Sequence, residues 1–359
     1  MKVTILTEPS PEDKPNLRAR RQSQALAEAG HDPETLSVTL VGNVPKHLLG
    51  RIAYHREKTR SLAKAAIDAG PDLVIAHDIY TLDAGVQASY EFGIPLIYDS
   101  HEDWPALIGE HSLVEAMAAK FIERRAAGRV SHALVPSAPI GRRLESMGIP
   151  TTVTYNARSI EEIKRMHKAE ARQKVGLNQD SFVVGYIGAM EQLLKGRVYD
   201  RVFDAVARLP SQVELVVIGG PVKDAEALAS LADEGDLGIH ILGPMGFDEL
   251  APYYSSLDAG LVALDETRRN YYNSLPNKLF DYMAFGVPTL VPPFPDMSDI
   301  VTTGKCGIPY TNLEEAIRRM MAMDDVERNR MSYGAYETFA QHSWNAQAPK
   351  FVRLCESYT

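Results

Sequence analysis

One order of pattern recurs along this chain: a short run of buried residues, a polar loop, an amphipathic stretch, a glycine, and another buried run. In the first half the runs are residues 2–6 (KVTIL), 71–78 (PDLVIAHD), 95–103 (PLIYDSHED), 132–137 (HALVPS) and 151–156 (TTVTYN). Between them lie the helical stretches RARRQSQALAEAG, closed by Gly30, and TLDAGVQASYEFG, closed by Gly93. Strands joined through helices return to the same end of the sheet, so they run parallel. The runs are apolar throughout because both faces of such a sheet are covered. The order therefore predicts an α/β, doubly wound fold.

The order then restarts. Residues 181–190 (SFVVGYIGAM) form a strand pattern, followed by the helical VYDRVFDAVARLP. Further runs stand at 213–220 (VELVVIGG), 238–244 (GIHILGP), 259–265 (AGLVALD) and 288–293 (PTLVPP). The segment 157–178 is charged and helix-prone, with no strand pattern, so the junction is expected just past Asn156. A chain of 359 residues exceeds one ordinary core, and two domains are the natural division. The expected boundaries are 1–156, 157–340 and a C-terminal amphipathic helix within 341–359, with Trp344 at its start.

Several function classes are disfavoured by composition. The net charge of −9 argues against a dedicated nucleic-acid binder. Cys306 and Cys355 have no partner spacing for structural zinc or a disulfide framework, which fits a reducing cytosol. The first residues hold too short an apolar run for a signal peptide, and no run is long enough to span a bilayer. The expected location is cytoplasmic.

In two doubly wound domains, ligands bind at the carboxyl ends of strands. The polar and glycine positions there are His77, Asp78, His101, Glu102, Gly188, Gly219 and Gly220. The stretch SLPNKLFDYMAFGVPTLV (274–291) reads as a helix with Pro276 at its first position, capped by Ser274 or Asn273 and stopped at Gly286 and Pro288. Leu279, Phe280, Met283 and Ala284 form its buried side; Asn277 and Asp281 share another. It is either a capped core helix or one whose amino end meets a diphosphate, with Asp281 accepting from ribose hydroxyls. In GYIGAMEQLLKGR (185–197), Lys195 and Arg197 open a helix against its dipole. They are either solvated cations or phosphate ligands. His101, in YDSHEDW, is a structural histidine or one aimed at a sugar hydroxyl. His77 and Asp78 line an acceptor site or cap the following helix.

Together these stretches resemble the retaining glycosyltransferases of family 4, which have the GT-B fold: two Rossmann-like domains facing across a cleft, and a final helix crossing back to the first. The resemblance covers nearly the whole chain and is carried by SLPNKLFDYMAFGVPTLV, YIGAMEQLLKGR, IHILGPMGFDELAPYYSSLDAGLVAL, IAHDIYTLDAG and YDSHE, in the family's order. It implies an N-terminal acceptor domain, a C-terminal nucleotide-sugar domain, and transfer of a hexose from a nucleoside-diphosphate sugar to a hydroxyl with retention. No cofactor or metal is implied, and UDP is preferred over GDP.

The residue assignments follow from the same likeness. The family's two glutamates fall on Asn273 and Asp281, and its arginine–lysine pair on Ala189 and Lys195, with Arg197 as a substitute for the missing arginine. Its sugar-contacting histidine matches His101. The catalytic set is thus His101, Lys195 and Asn273. The donor set is Gly188, Lys195, Arg197, Gly219, Pro244, Met245, Ser274, Leu275, Asn277 and Asp281, with the backbone around Gly219–Gly220 and Gly243–Gly246 at the base. The usual glycine-rich loop after the first strand is absent, and Asn16, Arg18 or Arg21 take over part of its role beside His77, Asp78 and Glu102 on the acceptor side.

The acceptor is a small molecule, a glycan or a lipid-linked compound. Residues 118–145 carry Lys120, Arg124, Arg125, Arg129, Arg142 and Arg143 against Glu123 and Glu145, either a solvated face or one that meets anionic headgroups as a peripheral contact at the inner membrane face. Two other functions compete: a sugar-nucleotide epimerase or hydrolase on the same fold, and a non-catalytic binding module. A nicotinamide enzyme is disfavoured because no GxGxxG turn follows a strand.

Overall fold

The computed structural model describes residues 1–9, 16–40, 47–232 and 238–358. The chain divides into two units, residues 1–156 with 346–359, and residues 157–345. The first is built on β1 (Lys2–Leu6), β2 (Asp32–Leu36), β3 (Leu73–His77), β4 (Leu96–Asp99), β5 (His132–Val135) and β6 (Thr151–Val153). The second holds β7 (Phe182–Ile187), β8 (Val213–Ile218), β9 (Ile239–Leu242), β10 (Ala259–Leu261), β11 (Thr289–Val291) and β12 (Gly307–Pro309). The two six-stranded sheets run β2-β1-β3-β4-β5-β6 and β12-β11-β10-β7-β8-β9. The ladders are parallel, as the apolar runs require.

Each sheet gains one edge strand beyond those predicted. β2 (DPETL) and β12 (GIP) pair on one side only, so neither needs an unbroken apolar run. The helix Leu48–Ala69 is also additional, and the helix expected from Thr81 begins at Asp78. Residues 157–178 contribute a 3₁₀ turn at Ile160–Glu162 and a helix at Lys168–Val175. Within the first unit, the Gln347 side chain accepts from Tyr155 N (2.7 Å) and donates to Tyr155 O (3.1 Å), and His132 Nδ1 lies 3.0 Å from the Tyr358 hydroxyl. These bonds fasten the end of the Trp344–Glu356 helix to that unit.

The strand order reverses beside β1 in one sheet and between β10 and β7 in the other, and there the strand ends part. In the second sheet, β10 pairs with β7 only at Ala259–Val184 and Gly260–Gly185. Beyond that point the Tyr282 hydroxyl enters the gap. It accepts from Ile187 N (2.7 Å), donates to Gly185 O (2.9 Å) and lies 3.3 Å from Leu261 O. A Cβ at Gly260 would overlap the Tyr282 ring, so the glycine is what lets the ring lie against the sheet. The Asn277–Ala284 helix that carries Tyr282 is thereby fixed at the switch point.

Removing that hydroxyl leaves the buried Ile187 N–H without its partner. Tyr282→Phe is expected to lower unfolding stability by about 1–3 kcal/mol in urea titration. An unchanged midpoint would show that the hydroxyl does not secure the helix.

Candidate functional site

The amino end of the Asn277–Ala284 helix differs from expectation. Pro276 is the cap residue and makes no side-chain cap bond. Asn273 instead terminates the short Arg269–Tyr272 helix, and Ser274 Oγ donates to Tyr271 O at 3.0 Å. The physical reason is Pro276 itself: the residue before a proline is driven out of the helical region, so Leu275 breaks the chain and the new helix starts after the ring. At the other end Gly286, at φ +70°, closes the helix as predicted, its N–H donating to Met283 O at 2.9 Å.

Lys278, in the first turn, is buried. Its ammonium donates to Gln192 Oε1 (2.8 Å) and lies 3.8 Å from the centre of the Tyr186 ring. A Cβ on Gly188, just past β7, would fall 2.7 Å from Lys278 Cε; one on Gly219, just past β8, would overlap the Gly188 carbonyl. Two strand ends and a cation thus converge where only glycine fits. Burial lowers the lysine to about 7, and no carboxylate among the described residues offsets it. This cation also opposes the dipole of its own helix. Sequence reasoning missed it. The signal was its spacing of four from Tyr282, which puts both on one buried side.

The predicted cations are placed otherwise. Lys195, Gly196 and Arg197 form a 3₁₀ turn with Gly196 and Arg197 at positive φ. Lys195 Nζ is 2.8 Å from Glu191 Oε1. The Arg197 side chain, 74% exposed, pairs with Asp200 at 2.6 Å, three residues into the next helix. Ala189 is exposed. Asp281 is held by Arg158 (Nε to Oδ1, 2.9 Å), whose guanidinium lies 3.3 Å from the centre of the Phe247 ring. Leu275 is buried, while Asn277 is exposed. Gly220 meets Pro244, and Met245 is half-buried in the loop after β9. Gly246 caps the Phe247–Ser256 helix, its N–H taken by Glu249 at 2.8 Å.

The first unit gathers a second polar cluster at the ends of β3 and β4. Asp99, fully buried, accepts from Arg18 Nε (2.9 Å) and Gln22 Nε2 (2.6 Å). Burial pushes its carboxyl up, but Arg18, with His101 and His77, outweighs burial and holds it well below the usual range. His77 Nε2 lies 2.8 Å from Gln22 Oε1, and burial lowers it to about 3, so it is neutral. Asp78 sits at φ +63°, a left-handed conformation unfavourable for aspartate. It does not cap its helix: its Oδ1 accepts from His101 N (3.0 Å) and Trp104 Nε1 (3.1 Å). Burial raises its carboxyl.

The His101 ring faces carboxylates at both nitrogens, Nδ1 3.3 Å from Asp78 Oδ2 and Nε2 3.7 Å from Asp99 Oδ1. Its Nε2 is buried. His77, Asp99 and His101 bring ligand atoms within 4.8 Å of one another, but a cation there would sit against the Arg18 guanidinium on Asp99. Asn16 caps the Leu17–Glu28 helix, accepting from Arg18 N at 2.9 Å. Arg21 is buried, and the Glu102 carbonyl accepts from Ser100 Oγ at 3.1 Å. Residues 10–15 of the loop after β1 lie outside the described residues.

Two family models match the chain: "Glycosyl transferase 4-like domain" over residues 2–157 and "Glycosyl transferases group 1" over residues 181–323. Among curated proteins no significant sequence match is found. Among solved structures, the chain is similar to sucrose-phosphate synthase from Thermosynechococcus elongatus, with TM-score 0.76 and 17% identity over 99% of this chain and 98% of that one. It is similar to Anabaena HepE in complex with UDP, with TM-score 0.72 and 16% identity over 99% and 100%. It is also similar to WaaG, a glycosyltransferase involved in lipopolysaccharide biosynthesis, with TM-score 0.67 and 15% identity over 99% of both chains. These likenesses show a GT-B fold, and the two family matches, which together span most of the chain, show that it belongs to the group 1 glycosyl transferases.

Proposed function

We propose that this chain transfers a hexose from UDP-sugar to an acceptor hydroxyl, with retention at the anomeric carbon and without a metal ion. The observation that carries this is Lys278: a buried ammonium, unopposed by any carboxylate among the described residues, at the amino end of a helix fixed between β10 and β7. A desolvated cation at a helix amino end is suited to a diphosphate. HepE in complex with UDP and with UDP-glucose supports the choice of base.

The second unit is assigned the donor and the first the acceptor. As the glycosidic bond breaks, its electron pair passes to the diphosphate. Lys278, the helix amides and Lys195 stabilise that charge, which is ordinarily the largest catalytic contribution. The acceptor oxygen bonds to the face the diphosphate leaves, and its proton passes to the departing phosphate oxygen. Asp281 accepts from the ribose hydroxyls, with Arg158 fixing its orientation. Asn273 contributes hydrogen bonds without charge. The location is cytoplasmic; no helix among the described residues is long and apolar enough to cross a membrane.

The charged form of Lys278 is the one that binds. Affinity for UDP-glucose, whose diphosphate carries no proton near neutrality, is expected to fall as pH rises through about 7, by up to about tenfold per unit. Calorimetric titration reads this directly. Folding lowers this pKa, so the unfolded chain holds the extra proton between about 7 and the ordinary lysine value of 10.5, and ligand-free stability rises with pH across that window. Lys278→Met is therefore expected to bind UDP-glucose at least about tenfold more weakly, with a flat pH profile and a ligand-free melting temperature at pH 6 no lower than the parent's. Undiminished affinity would remove Lys278 from the site.

Asp281→Ala is expected to weaken UDP and UDP-sugars by the same factor, about tenfold. A loss confined to one sugar would contradict the ribose assignment. Turnover, followed as UDP release, is expected to be unchanged by a chelator. Nucleotide binding without turnover on any acceptor would favour the binding module, as the changes at Ala189 and Asn273 suggest.

A further inference from the structure

The Leu113–Ala126 helix carries its small residues inward and its large ones outward, the reverse of an ordinary surface helix. Ala116, Ala119 and Ala126 are buried. Leu113, Val114, Met117 and Phe121 are 77%, 68%, 70% and 65% exposed. Positions 113, 117 and 121 recur every fourth residue, with 114 beside them, so the four make one stripe. Single exposed apolar residues are ordinary, but contiguous stripes mark interaction surfaces.

The helix itself is anchored. Ser112 Oγ caps it by accepting from Glu115 N at 3.3 Å. Buried Glu123 pairs with Arg143 and accepts from the Tyr98 hydroxyl at 3.4 Å.

The charges around the stripe decide what covers it. The six cations of residues 118–145 are not one face. Arg143 is turned to Glu123 and Asp103, Arg125 pairs with Asp83 at 2.5 Å, and Arg129 lies over Tyr90. Lys120 and Arg124 are exposed on the side of the helix that carries the stripe, three residues on from Met117 and Phe121 respectively. The acidic residues of the helix are withdrawn: Glu115 pairs with Arg51 at 2.7 Å and Glu123 is buried. A chain of net charge −9 thus presents cations around this exposed apolar stripe.

We propose that this face docks on an anionic lipid surface. Leu113, Val114, Met117 and Phe121 enter the boundary between headgroups and acyl chains, and Lys120 and Arg124 reach along it to lipid phosphates. A second copy fits less well. Self-pairing would bring two basic rims together, and a stable interface needs roughly 800 Å² per partner, more than one stripe of four side chains supplies.

The test is co-sedimentation of the full chain with vesicles of phosphatidylcholine alone and of phosphatidylcholine with phosphatidylglycerol, at low and high salt. Binding is expected to the anionic vesicles only, weakening with salt. Met117→Ser/Phe121→Ser is expected to lower the partition constant by at least about tenfold. Lys120→Glu/Arg124→Glu is expected to abolish the salt dependence along with the binding. Both double variants should keep the parent's melting temperature, because the four side chains face solvent. No partition into either vesicle, or equal partition of parent and Met117→Ser/Phe121→Ser, would overturn the proposal. So would a dimer seen by light scattering that Met117→Ser/Phe121→Ser dissolves while vesicles are ignored, since a second copy would then be the occupant.

Discussion

The second unit depends on one hydroxyl in one gap. Where β7 and β10 part, their backbone groups lose ladder partners, and buried amides without partners are costly. Tyr282 supplies acceptor and donor at that place, to Ile187 and Gly185. Because Tyr282 is five residues past the start of the Asn277–Ala284 helix, this bond also sets how far the amino end of the helix projects past the strands. Lys278, four residues earlier, is carried to Gly188 as a consequence. Sheet, helix and cation form a single arrangement, and the residue that closes the gap is neither the family's glutamate position nor its lysine.

The two polar clusters make opposite use of burial. In the first unit Asp99 is buried and paired: Arg18 and Gln22 meet its oxygens, and the pair is held by packing on every side. Such a carboxylate is inert to a ligand of either charge, because its charge is already balanced. In the second unit Lys278 is equally withdrawn from water, but meets a neutral amide and a ring face. Its positive charge costs stability in the empty protein, and the proposed diphosphate would balance it. The functional difference lies in the partner, since both groups are buried to a similar depth.

Much of the sheet order is legible in the sequence because central parallel strands have to be apolar on both faces. β2 and β12 were not legible, since an edge strand such as DPETL satisfies one neighbour and can leave Asp32 and Glu34 in water. The site was legible as a location and less so as a set of residues. Gly188, Gly219 and the 277–284 helix are where the strand ends and the glycine stop predicted. The caps at Ser274 and Asn273 were misplaced because the restriction that Pro276 imposes on Leu275 outweighs local cap chemistry. Arg197 reads as a phosphate ligand in the sequence, and in the structure its exposed side chain faces Asp200, a pairing the sequence reading did not weigh. Lys278 could not be ranked above its neighbours, because its burial comes from Gly188 and Tyr186, ninety residues or so away in the chain.

The changes at the family's signature positions are more coherent as a set than singly. Against the family pattern, Ala189 removes a cation and Asn273 removes an anion, so the two together leave the local net charge as it was. Lys278 sets a cation against Gly188, the residue before Ala189, and no carboxylate among the described residues offsets it. Asp281 keeps a negative charge, but Arg158 balances it from within the same unit. Among the described residues, Lys278 is a buried cation at the strand ends that meets an amide and a ring face rather than a carboxylate. A diphosphate is the kind of group that such a charge can hold.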